Sequence, residues 1–229
     1  MPGQRYRVVH RTEYLYGATM LDGYSVACLL ARPTPSQAVA SSVVTTYPEP
    51  DEYDERNDAF GNRVVQFGLH QPHDGLVVEA ITEAKVWEQE LPRADVAWER
   101  VTATVAGMRG PTALDVAPFV APSRFVTVGA NRLQLFALAS TSFTPDRGVV
   151  EATTALCSDI FGRFVFDPSF TEVSSPLDVV LGERRGVCQD FAHLAVGALR
   201  TLGLAARYVS GYIETDPPPG EPKTVGADA

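Results

Sequence analysis

Cysteine, histidine, long apolar runs and positive charge are all scarce in this chain. Its 229 residues include three cysteines, Cys28, Cys157 and Cys188, and four histidines, His10, His70, His73 and His193. Three scattered cysteines with no CxxC pair are too few for a disulfide scaffold or a four-ligand zinc site. No apolar run approaches the roughly 20 residues that cross a bilayer. Met1-Pro2-Gly3-Gln4-Arg5-Tyr6 leads into an alternating pattern without the apolar segment of a signal peptide. A cytoplasmic chain with no membrane partner is the expectation. Lys and Arg total 19 against 28 Asp and Glu, a formal net charge of −9, and no basic stripe interrupts that balance. Nucleic acid is therefore not an expected partner.

What is present is apolar content of 45%, enough over this length for a substantial core. From Tyr6 to Tyr16 the residues alternate, with Tyr6, Val8, His10, Thr12, Tyr14 and Tyr16 on one face. Val64–Leu69 and Leu76–Trp87 repeat the pattern, which predicts a mostly antiparallel β domain over residues 1–100. Pro48 to Asn62 reads as an acidic loop of solvated charge, since its carboxylates lack EF-hand spacing and the central glycine of a calcium loop. His70 and His73 flank a turn at Pro72. Cys28, among Val26, Ala27, Leu29 and Leu30, and Cys157, beside Leu156 and Ile160, read as buried small apolar residues.

Residues 101–122 carry Pro and Gly without a sustained period and read as a linker to a second half, 123–229. There the period becomes helical. Leu133, Phe136, Ala137 and Ser140 mark the inward face of one helix, and Ala152, Leu156 and Ile160 that of another over 149–161. Phe164-Val165-Phe166-Asp167-Pro168 reads as a brief strand and turn, and Ser175-Pro176-Leu177-Asp178 as a capped helix start ending near Gly186. A helix from Cys188 to Leu202 or Gly203 follows, with Cys188, Phe191, Ala192, Ala195 and Leu199 on its buried face. Ala206–Ile213 reads as a strand that Pro217-Pro218-Pro219-Gly220 ends. One strand cannot cover that helix, so a further sheet is expected after it.

Cys188 is the best candidate for chemistry. First-turn N–H groups have no intrahelical acceptor, and with the helix dipole they favour a thiolate, the form that attacks carbonyls. By pattern alone it reads equally as a buried cysteine opening a helix. A nucleophile needs a base and an orienting group. His193 lies five positions on, about 140° round the helix, where no in-helix pair forms, and reads as a packed residue. Arg184 and Arg185 read as a solvated cap region.

Arg184-Arg185-Gly186-Val187-Cys188-Gln189-Asp190-Phe191-Ala192-His193-Leu194 and Leu202 through Tyr212 resemble the core signature of bacterial transglutaminase-like proteins. His10-Arg11-Thr12-Glu13-Tyr14-Leu15-Tyr16, Leu30-Ala31-Arg32-Pro33 and Asp58-Ala59-Phe60-Gly61-Asn62 resemble their N-terminal β domain, and Phe166-Asp167-Pro168 and Thr171-Glu172-Val173 fit the approach to the nucleophile. The resemblance implies an α+β architecture: an N-terminal antiparallel β domain, then an incomplete papain-like/transglutaminase-like core. It implies Cys188 as the catalytic residue, with Gln189, Tyr208 and Tyr212 lining the cleft, no cofactor and no metal. The implied function is cysteine acyl transfer, as acyltransferase or as amidohydrolase or protease, on a carboxamide or peptide bond of a protein or peptide substrate. Family members continue with a histidine and then an aspartate on successive strands. The chain reads as truncated before them, and neither Asp190, His193 nor Asp228 matches those positions, so the span itself is expected to be inactive. An exposed core edge would then invite a dimer. The alternative is a noncatalytic protein-interaction module.

Overall fold

Alternation in the first 91 residues carries through as six antiparallel strands, shown by a computed structural model that describes residues 3–92, 95–170, 176–214 and 225–226. They are β1 (Gln4–Met20), β2 (Gly23–Leu30), β3 (Gln37–Tyr47), β4 (Glu52–Asn57), β5 (Arg63–Leu69) and β6 (His73–Val86). Two three-stranded sheets result, in the orders β1-β6-β3 and β2-β5-β4. Inward residues of β5 and β6 supply most of the core: Val65, Phe67, Leu69, Leu76, Val78 and Ala80, joined by Leu30 and Val44. The buried Ser42 and Thr82 hydroxyls hydrogen-bond across β3 and β6 at 2.7 Å, which satisfies two polar groups that the core would otherwise penalise.

Two readings of this half change. The segment expected as an acidic loop contains β4, paired to β5 from Glu52 opposite Gly68 to Asn57 opposite Arg63. All six of its side chains are exposed, so there was no apolar alternation to betray a strand. Only the end of the segment is a turn: the Asp58 carboxylate accepts N–H bonds from Phe60 and Asn62 and from the Asn62 amide, while Gly61 takes φ 75°. Cys28 is exposed, in phase with the outward Tyr24 and Val26 of β2 rather than with Ala27 and Leu29.

The second unit spans Pro92–Ala229. Residues read as linker form α1 (Trp98–Gly107) and α2 (Pro111–Val120). Neither helix fully buries a residue, although Trp98 and Val101 of α1 pack half-buried against the helical core; the local signals of α2 are Gly110 at φ 68° and Pro111 in the first turn. Then come α3 (Val128–Ser140), α4 (Val149–Arg163), β7 (Val165–Phe166), α5 (Leu177–Glu183), β8 (Arg185–Gly186), α6 (Cys188–Thr201), β9 (Ile213–Glu214) and β10 (Val225–Gly226). Ser175, Thr171-Glu172-Val173, Pro217–Gly220 and Asp228 lie outside the described residues.

On α4 the expected Ala152, Leu156 and Ile160 are buried, but Cys157 is exposed, about 100° round from that stripe. On α3 the inward face is Val128, Asn131, Leu135, Leu138 and Ala139; the stripe expected to be inside faces out, with Leu133 83% and Phe136 50% exposed. Two apolar stripes share this helix, and α6 selects between them: Gly197 of α6 comes so close to Leu135 that an added Cβ would stand 3.2 Å from its Cδ1. On α6 the buried face is Asp190, His193, Leu194, Val196, Gly197, Ala198 and Thr201, and the expected stripe from Cys188 to Leu199 lies half-buried on its flank.

Two measurements check this account. Leu194 is fully buried in the helical core, so Leu194→Ala is expected to cost about 2–5 kcal/mol in denaturant unfolding with an unchanged slope. In the β half, the His70 ring pairs with Asp22 and lies 3.5 Å from Glu52, joining the ends of β2, β4 and β5. The hydrogen bond to Asp22, with the charges of Asp22 and Glu52, raises its pKa above the usual histidine value against a smaller opposing effect of burial. A raised histidine stabilises below about pH 6.5 and loses that contribution as pH rises through its folded value. Both partners are solvated, so the effect is small. Thermal melting of His70→Gln should fall below wild type at mildly acidic pH, with the gap closing at alkaline pH.

Candidate functional site

The turn that delivers Cys188 is built by the residues before it. Helix α5 ends at Arg184, whose N–H bonds the Val180 carbonyl at 2.9 Å and whose backbone is left-handed, φ 54° and ψ 37°. A non-glycine residue holds that conformation at a cost of about 1 kcal/mol or more. The chain then pairs as β8 in parallel with β7, Val165 opposite Arg185 and Phe166 opposite Gly186. Val165 N–H donates to Arg184 O and Asp167 N–H to Gly186 O, each at 2.9 Å. The Arg185 guanidinium lies 3.6 Å from the Asp167 carboxylate and 4.9 Å above the Phe170 ring, so it is engaged rather than merely solvated. Hydrogen bonds from the Ser169 hydroxyl and N–H, followed by Arg185, hold the Asp167 pKa below the usual carboxylate range despite some desolvation.

Val187 follows in extended conformation as the N-cap of α6, and Cys188 is the first residue of the helix, half-buried. Asp190 sits in the first turn with 2% of its surface exposed, and its Oδ2 accepts the Val187 N–H at 2.8 Å. One turn on, His193 is 8% exposed. Its ring stacks on Phe125 (centroids 5.6 Å apart, planes 9° apart) and leans on Tyr208 at 5.4 Å. Burial lowers its pKa, with the Asp190 charge opposing. A ring clamped between two aromatics on a different side of α6 from Cys188 is a packing element, as the sequence indicated.

Gln189, Tyr208 and Tyr212 are each half-buried. Tyr208 and Tyr212 lie outside any strand, since among the described residues the ladder of this segment is β9 with β10. Upstream, Ala206 spends its N–H on Phe119 O and its carbonyl on the Arg200 guanidinium (3.2 and 2.8 Å), leaving neither for a ladder. His10 bonds Thr12, and His73 is buried edge-on to Tyr16 with Nδ1 donating to Gln71 O, so both are bound into the β half. Among the described residues, no three His, Cys, Asp or Glu side chains gather as a metal site. Asp190, Phe125 and Asp167 were missed as site-building residues. An acid three positions past the cap is a readable capping signal, whereas the Phe125 stack leaves no trace in local pattern.

Comparison with known proteins adds two family matches. Residues 6–85 match the bacterial transglutaminase-like N-terminal region and residues 137–226 the transglutaminase-like superfamily. An uncharacterized protein of Mycobacterium tuberculosis is 35% identical over 230 residues, 98% of this chain and 71% of the relative. One from Mycobacterium leprae is 30% identical over 210 residues, covering 91% and 71% respectively. A solved structure from Cytophaga hutchinsonii, named a "Putative Cysteine Protease", superposes with a TM-score of 0.72 at 19% identity, over 93% of this chain and 68% of that one. At that identity it shows the fold.

The burial of His193 has a pH consequence opposite in sign to that of His70. A histidine whose folded pKa is lowered stabilises above about pH 6.5 and loses that contribution as pH falls toward its folded value. Acidification should therefore destabilise the helical half. His193→Phe, which keeps a ring between Phe125 and Tyr208, should abolish that loss when melting is followed from neutral to acidic pH.

Proposed function

Because the chain belongs to the bacterial transglutaminase-like family, we propose that Cys188 is the nucleophile of acyl transfer on a carboxamide or peptide bond in a protein or peptide substrate. The observation that carries this reading is the position of Cys188: first residue of α6, half-buried, at the end of a turn fixed by β7, β8 and Asp190. A cysteine kept only for packing would have no use for so constrained an approach.

In this mechanism the Cys188 thiolate adds to the carbonyl carbon. The oxyanion forms beside the first-turn amides of α6, to which Val187, as N-cap, offers no side-chain acceptor. Collapse breaks the C–N bond, the departing amine or ammonia takes a proton from a general acid, and a thioester remains on Sγ. Water then yields hydrolysis and an amine yields a cross-link. Within residues 92–229 the one histidine in the sequence is His193, and its clamped ring makes it a poor acid or base. The cycle thus requires another base, and turnover by this span alone is proposed to be slight. Half-buried Gln189, Tyr208 and Tyr212 remain the proposed cleft lining.

Thiol labelling separates this reading from a noncatalytic interaction module. With Cys28 and Cys157 replaced by serine, iodoacetamide should modify Cys188 at neutral pH faster than it modifies a simple thiol, and Cys188→Ser should abolish labelling. Inert Cys188 in a folded chain that instead forms a stable complex with another protein would favour the interaction module. In a form that carries a base, Cys188→Ala should reduce amide turnover at least about 1,000-fold.

A further inference from the structure

Asp190 is the only buried carboxylate among the described residues. Burying such a group is costly unless its oxygens are bonded, and here the bond runs backward along the chain. An N-cap side chain ordinarily reaches forward to the first-turn amides, but the N-cap of α6 is Val187, which has no acceptor. Instead Asp190 Oδ2 takes the Val187 N–H at 2.8 Å. Gly186 closes the other side. A Cβ built there would stand 2.7 Å from Asp190 Oδ2 and 3.0 Å from its Cβ, so the residue two positions before Cys188 must be glycine for the carboxylate to sit where it does. The Gly186 carbonyl is meanwhile held by the Asp167 N–H at 2.9 Å.

We propose that Asp190 is a positioning residue for Cys188: acting as a hydrogen-bond acceptor rather than as a charge, it locks the Gly186-Val187-Cys188 turn and so fixes the line along which Sγ meets a carbonyl carbon and the amides beside it. The inference rests on Cys188 being the nucleophile. It explains why Gly186, Val187 and Asp190 occur together, and assigns the buried acid to geometry rather than to proton transfer.

The test compares two reactions of Cys188 in the Cys28→Ser/Cys157→Ser background. Acylation by p-nitrophenyl acetate, in which Sγ displaces p-nitrophenolate, depends on approach to a carbonyl and on oxyanion contacts. Alkylation by iodoacetamide has no oxyanion and reports thiolate content and access. Loss of positioning therefore lowers the ratio of acylation to alkylation, whereas a change in ionisation or in global stability moves both alike. Asp190→Ala is expected to lower that ratio about 10-fold or more. Asp190→Asn, which keeps an acceptor without the charge, should stay within about twofold of the parent. Gly186→Ala, which displaces the carboxylate without removing it, should reproduce the loss. An unchanged ratio in Asp190→Ala overturns the proposal. If that variant does not fold, an unchanged ratio in Gly186→Ala, or a large fall in Asp190→Asn, overturns it equally. Absence of any Cys188-dependent p-nitrophenolate burst in the parent would instead refute the nucleophile assignment itself.

Discussion

The hydrogen bond from the Val187 N–H to the Asp190 carboxylate, at 2.8 Å, ties the turn before Cys188 to the helix that follows it. It closes the first turn of α6 from the N-cap side. Along the helix that follows, Leu194, Gly197, Ala198 and Thr201 face inward, Gly197 admits Leu135, and α3 presents its Leu135 and Leu138 stripe instead of Leu133 and Phe136. The bond to Oδ2 offsets part of the cost of burying the acid, and Gly186 leaves it room.

The far end of α6 is held as firmly. The Arg200 guanidinium reaches Ala206 O and Ala121 O, and burial lowers its pKa from the usual arginine value. Gly203, at φ 79°, turns the chain out of the helix, and Thr102 of α1 bonds Leu202 O at 3.3 Å. His193 between Phe125 and Tyr208 fixes the middle. A side chain at the first turn of such a helix inherits the precision of the whole element, the condition under which a single thiol can be aimed.

The sequence conveyed the α+β division, the antiparallel first half, the helices α3 to α6 but not α1 and α2, and the start of α6 at Cys188, because each rests on period or punctuation that local chemistry dictates. Its failures have a common physical origin. On α3, two apolar stripes compete, and the choice is made by Gly197 on another helix. The β4 strand is specified by its pairing to β5 and not by its own charged side chains. At the start of 206–212, the backbone groups of Ala206 that a strand would use are taken by Arg200 and Phe119. At the site, Cys188 stood out by motif, while the turn before it depends on pairing with β7, and the clamp on His193 depends on the Phe125 segment, contacts that no local window contains.

The exposure of β4 has a consequence for how copies of the chain meet. Among the described residues its outer edge pairs with no strand, and its exposed side chains include Glu52, Asp54 and Glu55 against one Arg56. A second molecule adding its own β4 there would bring like charges opposite one another in a ladder whose strands stand roughly 4.8 Å apart. Fibril-like growth by edge-to-edge stacking is thereby discouraged at that margin of the sheet. The same six residues that hid a strand from sequence reading act as a guard on it.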